Sequence, residues 1–91
     1  MPEIAVRRLQ EGGPFRFEVT VTEGSGATTH RVTLDQSDFE RLRRQDEGPE
    51  RFVHRCIEFL LAREPKESIL GSFDVSVISS YFPEFEAEIA K

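Results

Sequence analysis

Residues 49–64 read PERFVHRCIEFLLARE and form the longest amphipathic segment of the chain. Their apolar residues recur at i, i+1, i+4, i+5 and i+8, which is the period of a helix with one broad buried face. These residues are Phe52, Val53, Cys56, Ile57, Phe59, Leu60 and Leu61. Pro49 suits the first helical position and Pro65 ends the helix. We therefore predict a central helix on which the other elements pack.

The segment before this helix alternates between apolar and polar residues, which predicts strands. The clearest alternation places Phe17 and Val19 on one face and Glu18 and Thr20 on the other. An antiparallel meander of this kind has one apolar face, which helices must cover. The predicted strands are residues 3–9, 15–22 and 28–34, with turns at residues 11–14 and 23–27.

A short helix is predicted between the last of these strands and the central helix. Asp35 can cap its first turn, and Leu34 and Phe39 have the spacing of a hydrophobic staple. The only other large apolar residue here is Leu42, so the helix is expected to dock with a small contact area.

The chain after the central helix is predicted to form short helical pieces. A helical turn over residues 66–70 would bury Ile69 and Leu70. Asp74 has the position of a second cap, and Pro83 disfavours helical geometry in the residue before it. We expect one helix on each side of a corner at Pro83.

These patterns predict a single globular domain over residues 1–91 of the α+β class. It consists of an antiparallel β-hairpin or three-stranded meander, followed by three to four helices packed on one face. The predicted core is Phe17, Val19, Val21, Val32, Leu34, Phe39, Leu42, Phe52, Val53, Cys56, Ile57, Leu60, Ile78, Tyr81 and Phe82.

Charge and cysteine content narrow the setting and the partners. The net charge is −5, and residues 64–91 carry six acidic and two basic groups, so the composition argues against a nucleic-acid partner. The single Cys56 forms no internal disulfide and is expected to be a small buried hydrophobe. Residues 1–10 lack the apolar core of a signal peptide, and no apolar run has the length of a membrane span. A reduced, cytoplasmic setting without membrane contact is the expectation.

The segment FDVSVISSYFPEFE, residues 73–86, follows FLLARE at residues 59–64. Together they resemble the C-terminal half of a group of small uncharacterised bacterial proteins. The resemblance implies a bacterial, stand-alone domain. It implies no activity, ligand or catalytic residue.

Residue spacing predicts no catalytic, cofactor or metal site. His54 and Cys56 are two apart on a helix and point about 200° apart, and His30 lies on a strand, so no zinc spacing exists. The chain has neither a Gly-x-Ser-x-Gly elbow nor a glycine-rich loop that opens a helix. We therefore predict that the protein is not an enzyme. A small-molecule-binding or enzymatic domain without a recognisable motif is an alternative.

A DNA-binding regulator is another alternative, because a strand followed by two helices is the element order of ribbon-helix-helix repressors. Arg31 and Thr33 on the polar face of that strand could read a major groove. Against this, the strand already has hairpin partners, the chain is acidic, and the helical arginines alternate with as many acids.

The favoured function is protein–protein interaction or self-association, with an unidentified protein partner or a homodimer. Aromatic residues are enriched in interface cores, and a free strand edge can accept another strand. The alternative is that these aromatics belong to the core. The candidate interface residues are Phe73, Tyr81, Phe82 and Phe85.

Overall fold

The fold is α+β, with a four-stranded mixed sheet and four α-helices, in a computed structural model that describes residues 2–9 and 14–91. The sheet order is β1-β2-β3-β4; β1, β2 and β3 are antiparallel, and β4 is parallel to β3. Single 3₁₀ turns lie at Lys66–Ser68 and Val75–Val77. The elements are β1 (Glu3–Arg8), β2 (Phe15–Glu23), β3 (Gly26–Leu34), α1 (Gln36–Leu42), α2 (Pro49–Leu61), β4 (Ser72–Asp74), α3 (Ile78–Tyr81) and α4 (Phe85–Ile89).

The β2–β3 hairpin is tighter than the loop predicted at residues 23–27. Glu23 pairs with Gly26, so only Gly24 and Ser25 form the turn. Gly24 has φ +62°, which glycine adopts without steric cost at the first position of a two-residue type II′ turn. The other predicted turn, at residues 11–14, falls mostly outside the described residues.

One face of the sheet is buried and the other is open, as the alternation predicts. Phe17, Val19 and Val21 are fully buried, whereas Glu18 and Thr20 between them are partly exposed and the flanking Arg16 and Thr22 are exposed. The helices cover the buried face. The antiparallel pairing of β1, β2 and β3 confirms the predicted three-stranded meander. Within the described residues, the sheet contains one strand that was not predicted, β4.

The missing strand is β4, which is three residues long. Residues 72–74 pair in parallel with residues 31–33 of β3, and the Arg31 N–H donates to the Gly71 carbonyl at 2.8 Å. Asp74 is also the predicted cap, because its carboxylate accepts from the Ser76 N–H at 3.0 Å. Three residues carry no alternation that a sequence pattern could detect, and their pairing depends on a strand about 40 positions earlier.

The central helix is confirmed, but it ends at Leu61 rather than at residue 64. Most of the predicted core is buried around it, including Phe52, Val53 and Ile57 with essentially no exposure. Additional core residues are Phe59, Ile69, Val75, Phe85 and Ile89.

Two residues predicted to be buried are exposed. Tyr81 is 65% exposed and Leu70 is 46% exposed. Tyr81 deviates because α3 is a single turn that follows a 3₁₀ turn, so the i, i+4 face of a regular helix is not maintained from Val77. Leu70 deviates because the 3₁₀ turn ends before it, at Ser68, and only Ile69 points into the core. Phe82, also predicted as core, is partly buried.

A buried ion pair joins the α1–α2 loop to the C-terminus. Arg55 donates from Nε and Nη2 to the two oxygens of Glu47 at 2.6 and 2.7 Å, and from Nη1 to the Ile89 carbonyl at 2.6 Å. The side chains of Arg55 and Glu47 are 11% and 4% exposed. The pair fixes the loop against both α2 and α4.

Candidate functional site

An apolar groove of about 120 Å³ lies between the end of α2, the segment 68–73 and α3. Its deepest side chains are buried core residues, and its rim is formed by residues that protrude to solvent. The lining residues are Leu60, Glu64, Ser68, Ile69, Leu70, Phe73, Val77, Ile78, Tyr81 and Phe82.

Three of the four candidate interface aromatics meet at this groove. Phe73 and Phe82 are partly buried in its wall, and Tyr81 stands exposed at the rim. In residues 2–9 and 14–91, Tyr81 and Leu70 are the large hydrophobic residues with substantial exposure, and both line the groove. The structure thus concentrates exposed apolar surface at one place.

The fourth candidate, Phe85, is buried, so the prediction that it belongs to an exposed interface is wrong. It is 1% exposed, and its ring packs edge-to-face on Phe59 with centroids 5.0 Å apart. The reason is the corner before Pro83, where Phe82 takes an extended conformation and turns α4 back onto α2. This arrangement buries Phe85 and Ile89 together, so Phe85 belongs to the core rather than to an exposed interface.

The position of Leu70 at the rim is held by His30 of β3. The imidazole is 2% exposed, and its Nδ1 lies 2.8 Å from the Leu70 carbonyl oxygen. A carbonyl only accepts, so Nδ1 carries the hydrogen, and Nε2 faces the Thr28 hydroxyl at 2.8 Å. The Arg31–Gly71 backbone bond clamps the next residue to the same strand. The rim is therefore anchored to the sheet.

The opposite side of the groove is held by α3 and by the corner that leads to α4. Arg63, two residues after α2, donates to Glu84 at 3.1 Å and to Glu88 at 3.2 Å, and its guanidinium lies 3.6 Å from the centroid of the Phe59 ring. Hydrogen bonds from its own backbone N–H and from Arg63 lower the pKa of the Glu84 carboxyl. These contacts fix α4, and through it the chain that carries Tyr81.

The lining of the groove is mainly apolar. Its ionisable or hydroxyl-bearing side chains are Glu64, Ser68 and Tyr81, with no histidine, cysteine, lysine or arginine among the described lining residues. An apolar cavity of roughly 150 Å³ can hold a benzene-sized group. The groove therefore has about the size needed for one large apolar side chain.

A second cleft lies between β1 and the exposed side of α2 and is polar, with a volume of about 430 Å³. One of its arginines is already paired, because Arg55 binds Glu47, and His54 Nδ1 lies 3.4 Å from Glu58 Oε1. The residues lining it are Val6, Arg44, Glu50, Arg51, His54, Arg55 and Glu58.

The three soft or borderline metal ligands are not brought together. His30 bonds Leu70, His54 lies in the polar cleft, and Cys56 is 1% exposed in the core. Burial raises the pKa of the Cys56 thiol. Within the part of the chain that the structure describes, no three histidine, cysteine or carboxylate side chains group as metal ligands would.

Arg31 and Thr33, the two residues predicted to contact DNA in the repressor alternative, lie on the open face of the sheet and contact acidic side chains there. The Thr33 hydroxyl donates to Asp74 at 2.6 Å, and Arg31 Nε lies 3.7 Å from Glu18. Their strand, β3, has a neighbour on each side.

Comparison of the chain with protein-family models, curated proteins and solved structures finds no match. Among the described helices, none is long and apolar enough to cross a bilayer.

Proposed function

We propose that this domain is a non-enzymatic protein-interaction module whose groove receives a large apolar side chain from a partner. The observation that carries the proposal is the placement of Leu70 and Tyr81, both well exposed, on the rim of the same apolar groove. Scattered single hydrophobic residues need no explanation, whereas a contiguous exposed patch indicates an interaction site. Phe73 and Phe82 extend that patch into the groove wall.

The ligand we propose is a short peptide segment with one aromatic or leucine anchor and a neighbouring basic residue. The anchor matches the apolar lining. The basic residue is favoured because Glu64 lies at the groove and the C-terminal third of the chain is acidic. Charge of this kind contributes specificity and association rate more than affinity.

The groove supports binding rather than catalysis. General acid–base and nucleophilic chemistry need a base within hydrogen-bond reach of the group it activates. The lining offers one carboxylate, two hydroxyls and no histidine or cysteine. The ribbon-helix-helix alternative is disfavoured because β3 is flanked by β2 and β4, whereas a repressor ribbon pairs with its dimer mate. A bacterial, cytoplasmic setting remains part of the proposal, supported by the resemblance of residues 73–86 and by a free, buried Cys56.

The test is a peptide-display selection on the full chain, followed by affinity measurement on point variants. Leu70→Ser and Tyr81→Ser each remove rim surface, and Thr29→Ser on the open sheet face is the matched control. We expect selected peptides to carry an apolar anchor and to bind both rim variants about tenfold more weakly, with the control unchanged. Peptides that bind all three variants like the unmodified chain would contradict the proposal.

A further inference from the structure

β1 is an edge strand with an open side. Its other side pairs with β2, and the Leu9 N–H donates to the Arg16 carbonyl at 2.8 Å at the end of that pairing. Bonded and non-bonded pairs alternate along an antiparallel ladder, so the N–H and C=O groups of Ile4 and Val6 point away from β2. The structure describes no strand beyond them in residues 2–9 and 14–91.

The opposite edge of the sheet differs, because the three-residue strand β4 forms it and covers part of β3. β4 pairs with the middle of β3, and the Gly71 carbonyl accepts from Arg31. β1 therefore offers the longer unpaired edge, because β4 is only three residues long. Such an edge is a template for another strand.

The side chains of β1 complement themselves when two copies pair antiparallel around Ala5. In that register Glu3 faces Arg7 of the second copy on the exposed side of the sheet. Ile4 faces Val6 of the second copy on the apolar side, and both are only partly buried within one chain. Ala5 faces Ala5, which lets the two backbones approach without steric conflict.

The backbone pattern agrees with this register. Ile4 and Val6 both carry outward backbone groups, so an Ile4–Val6 pair exchanges hydrogen bonds in both directions. A register centred on Val6 would instead place Ile4 against Arg8, and one centred on Ile4 would place Glu3 against Ala5. Only pairing around Ala5 matches both faces of the strand.

The local charge also permits a second copy. Residues 2–9 contain one acid, Glu3, and two bases, Arg7 and Arg8, so the net charge of −5 is concentrated elsewhere in the chain. Arg7 already lies 2.8 Å from Glu18, but its side chain is 69% exposed. A guanidinium has five donors and can bind a second carboxylate.

We propose that β1 pairs with β1 of a second copy of this chain about a two-fold axis at Ala5, which joins the two sheets into one. The contact is isologous, since the same strand contributes from both copies. It uses a surface separate from the groove formed by residues 60–82, and it does not depend on the function proposed for that groove.

The first test is the oligomeric state of the full chain, measured by light scattering up to about 1 mM protein. Ala5→Lys places two like charges directly opposite each other, and we expect it to weaken the dimer by about tenfold or more. Ala27→Lys is the matched control, because Ala27 is also exposed on the same face of the sheet but lies on β3. At low protein concentration, where the dimer is dissociated, thermal melts of both variants should match the unmodified chain, since neither residue is buried.

The second test is cross-linking through Ala5→Cys with an added disulfide oxidant such as diamide. Directly opposite non-bonded residues have Cα atoms about 4.5 Å apart, within the rough range of 4.4–6.8 Å for disulfides. We expect a covalent dimer from Ala5→Cys and none from Ala27→Cys, with the buried Cys56 unreactive in both.

A chain that stays monomeric throughout this concentration range would overturn the proposal. So would a dimer that Ala5→Lys and Ala27→Lys leave equally intact, or one that Tyr81→Ser abolishes while Ala5→Lys does not. The last result would place self-association at the groove, whereas failure of peptide binding at the groove leaves the β1 result unaffected.

Discussion

His30 and Leu70 are 40 residues apart in sequence and joined by a 2.8 Å hydrogen bond from the imidazole Nδ1 to the carbonyl oxygen. The bond links the centre of β3 to the rim of the groove. A buried polar side chain of the sheet therefore determines where an exposed apolar side chain stands. Stability of the sheet and geometry of the groove are coupled through this contact.

Replacing His30 with leucine should loosen this link. The Thr28 hydroxyl and the Leu70 carbonyl both lose a partner, and we expect a loss of about 1–2 kcal/mol in the free energy of unfolding. His30→Asn keeps a donor near the position of Nδ1 and should lose less. Urea unfolding of both variants measures the difference, and equal losses would show that the Leu70 bond contributes little.

Phe85 and Tyr81 should respond oppositely to substitution by serine. Phe85 is 1% exposed against Phe59, so Phe85→Ser should lower the free energy of unfolding by about 3–5 kcal/mol. Tyr81 is 65% exposed, and Tyr81→Ser should change it by less than about 0.5 kcal/mol. Chemical denaturation at low protein concentration, where association is negligible, gives both values. A small change in the free energy of unfolding on Phe85→Ser would contradict the assignment of Phe85 to the core.

The contrast between Phe85 and Tyr81 shows which parts of the fold a sequence pattern can predict. The repeat in residues 49–64 predicts α2 because a long amphipathic period identifies its own buried face. The same reasoning at Tyr81 is wrong, because four residues of α3 are too few to define a face and the preceding 3₁₀ turn shifts it. Pro83 predicts the corner correctly, but the pattern alone does not tell which aromatic the corner buries.

The fourth strand and the groove could not be predicted from sequence patterns, because both depend on tertiary contacts. Residues 72–74 become a strand only because residues 31–33 lie beside them, and that contact is tertiary. The groove combines the end of α2 with Leu70 and Tyr81, both predicted to be buried. Its detectable signal was an excess of aromatics near the C-terminus, which identified Phe73, Tyr81 and Phe82 but also the buried Phe85.

Gly24→Ala should destabilise the β2–β3 hairpin. With φ at +62° the position is left-handed, and no atom lies within 4 Å of an added Cβ, so the cost comes from the backbone alone. We expect a loss of about 1 kcal/mol in the free energy of unfolding. Gly71→Ala is the matched control, since an added Cβ also meets nothing there and φ is outside the left-handed region. Gly71→Ala should be neutral or stabilising by about 0.5 kcal/mol. Thermal unfolding of both variants measures the difference. Equal effects of the two substitutions would contradict the type II′ turn at Gly24.

Glu47 should make stability depend on pH in the acidic range. Burial alone would raise the pKa of this carboxyl, but the hydrogen bonds from Arg55 and from the Arg44 N–H outweigh it and hold the pKa below its ordinary value of 4.5. Because the folded-state pKa is depressed, the contribution of Glu47 is fully present above about pH 4.5 and is lost as pH falls through the lower folded value. Glu47→Gln should therefore lower the free energy of unfolding by about 2 kcal/mol at pH 7, since Arg55 then stays buried without a counter-charge.

The control for this ion pair is Glu18→Gln, which removes a carboxylate of the open sheet face whose side chain is 26% exposed. Its effect at pH 7 should be smaller, since exposed pairs contribute little. Denaturant titrations at pH 7 and at decreasing acidic pH measure both variants against the unmodified chain. The gap between the unmodified chain and Glu47→Gln should narrow as the pH falls below 4.5, because the native carboxyl then takes up a proton and loses its charge as well. A gap that stays constant over this range would mean that the Glu47 charge does not stabilise the fold.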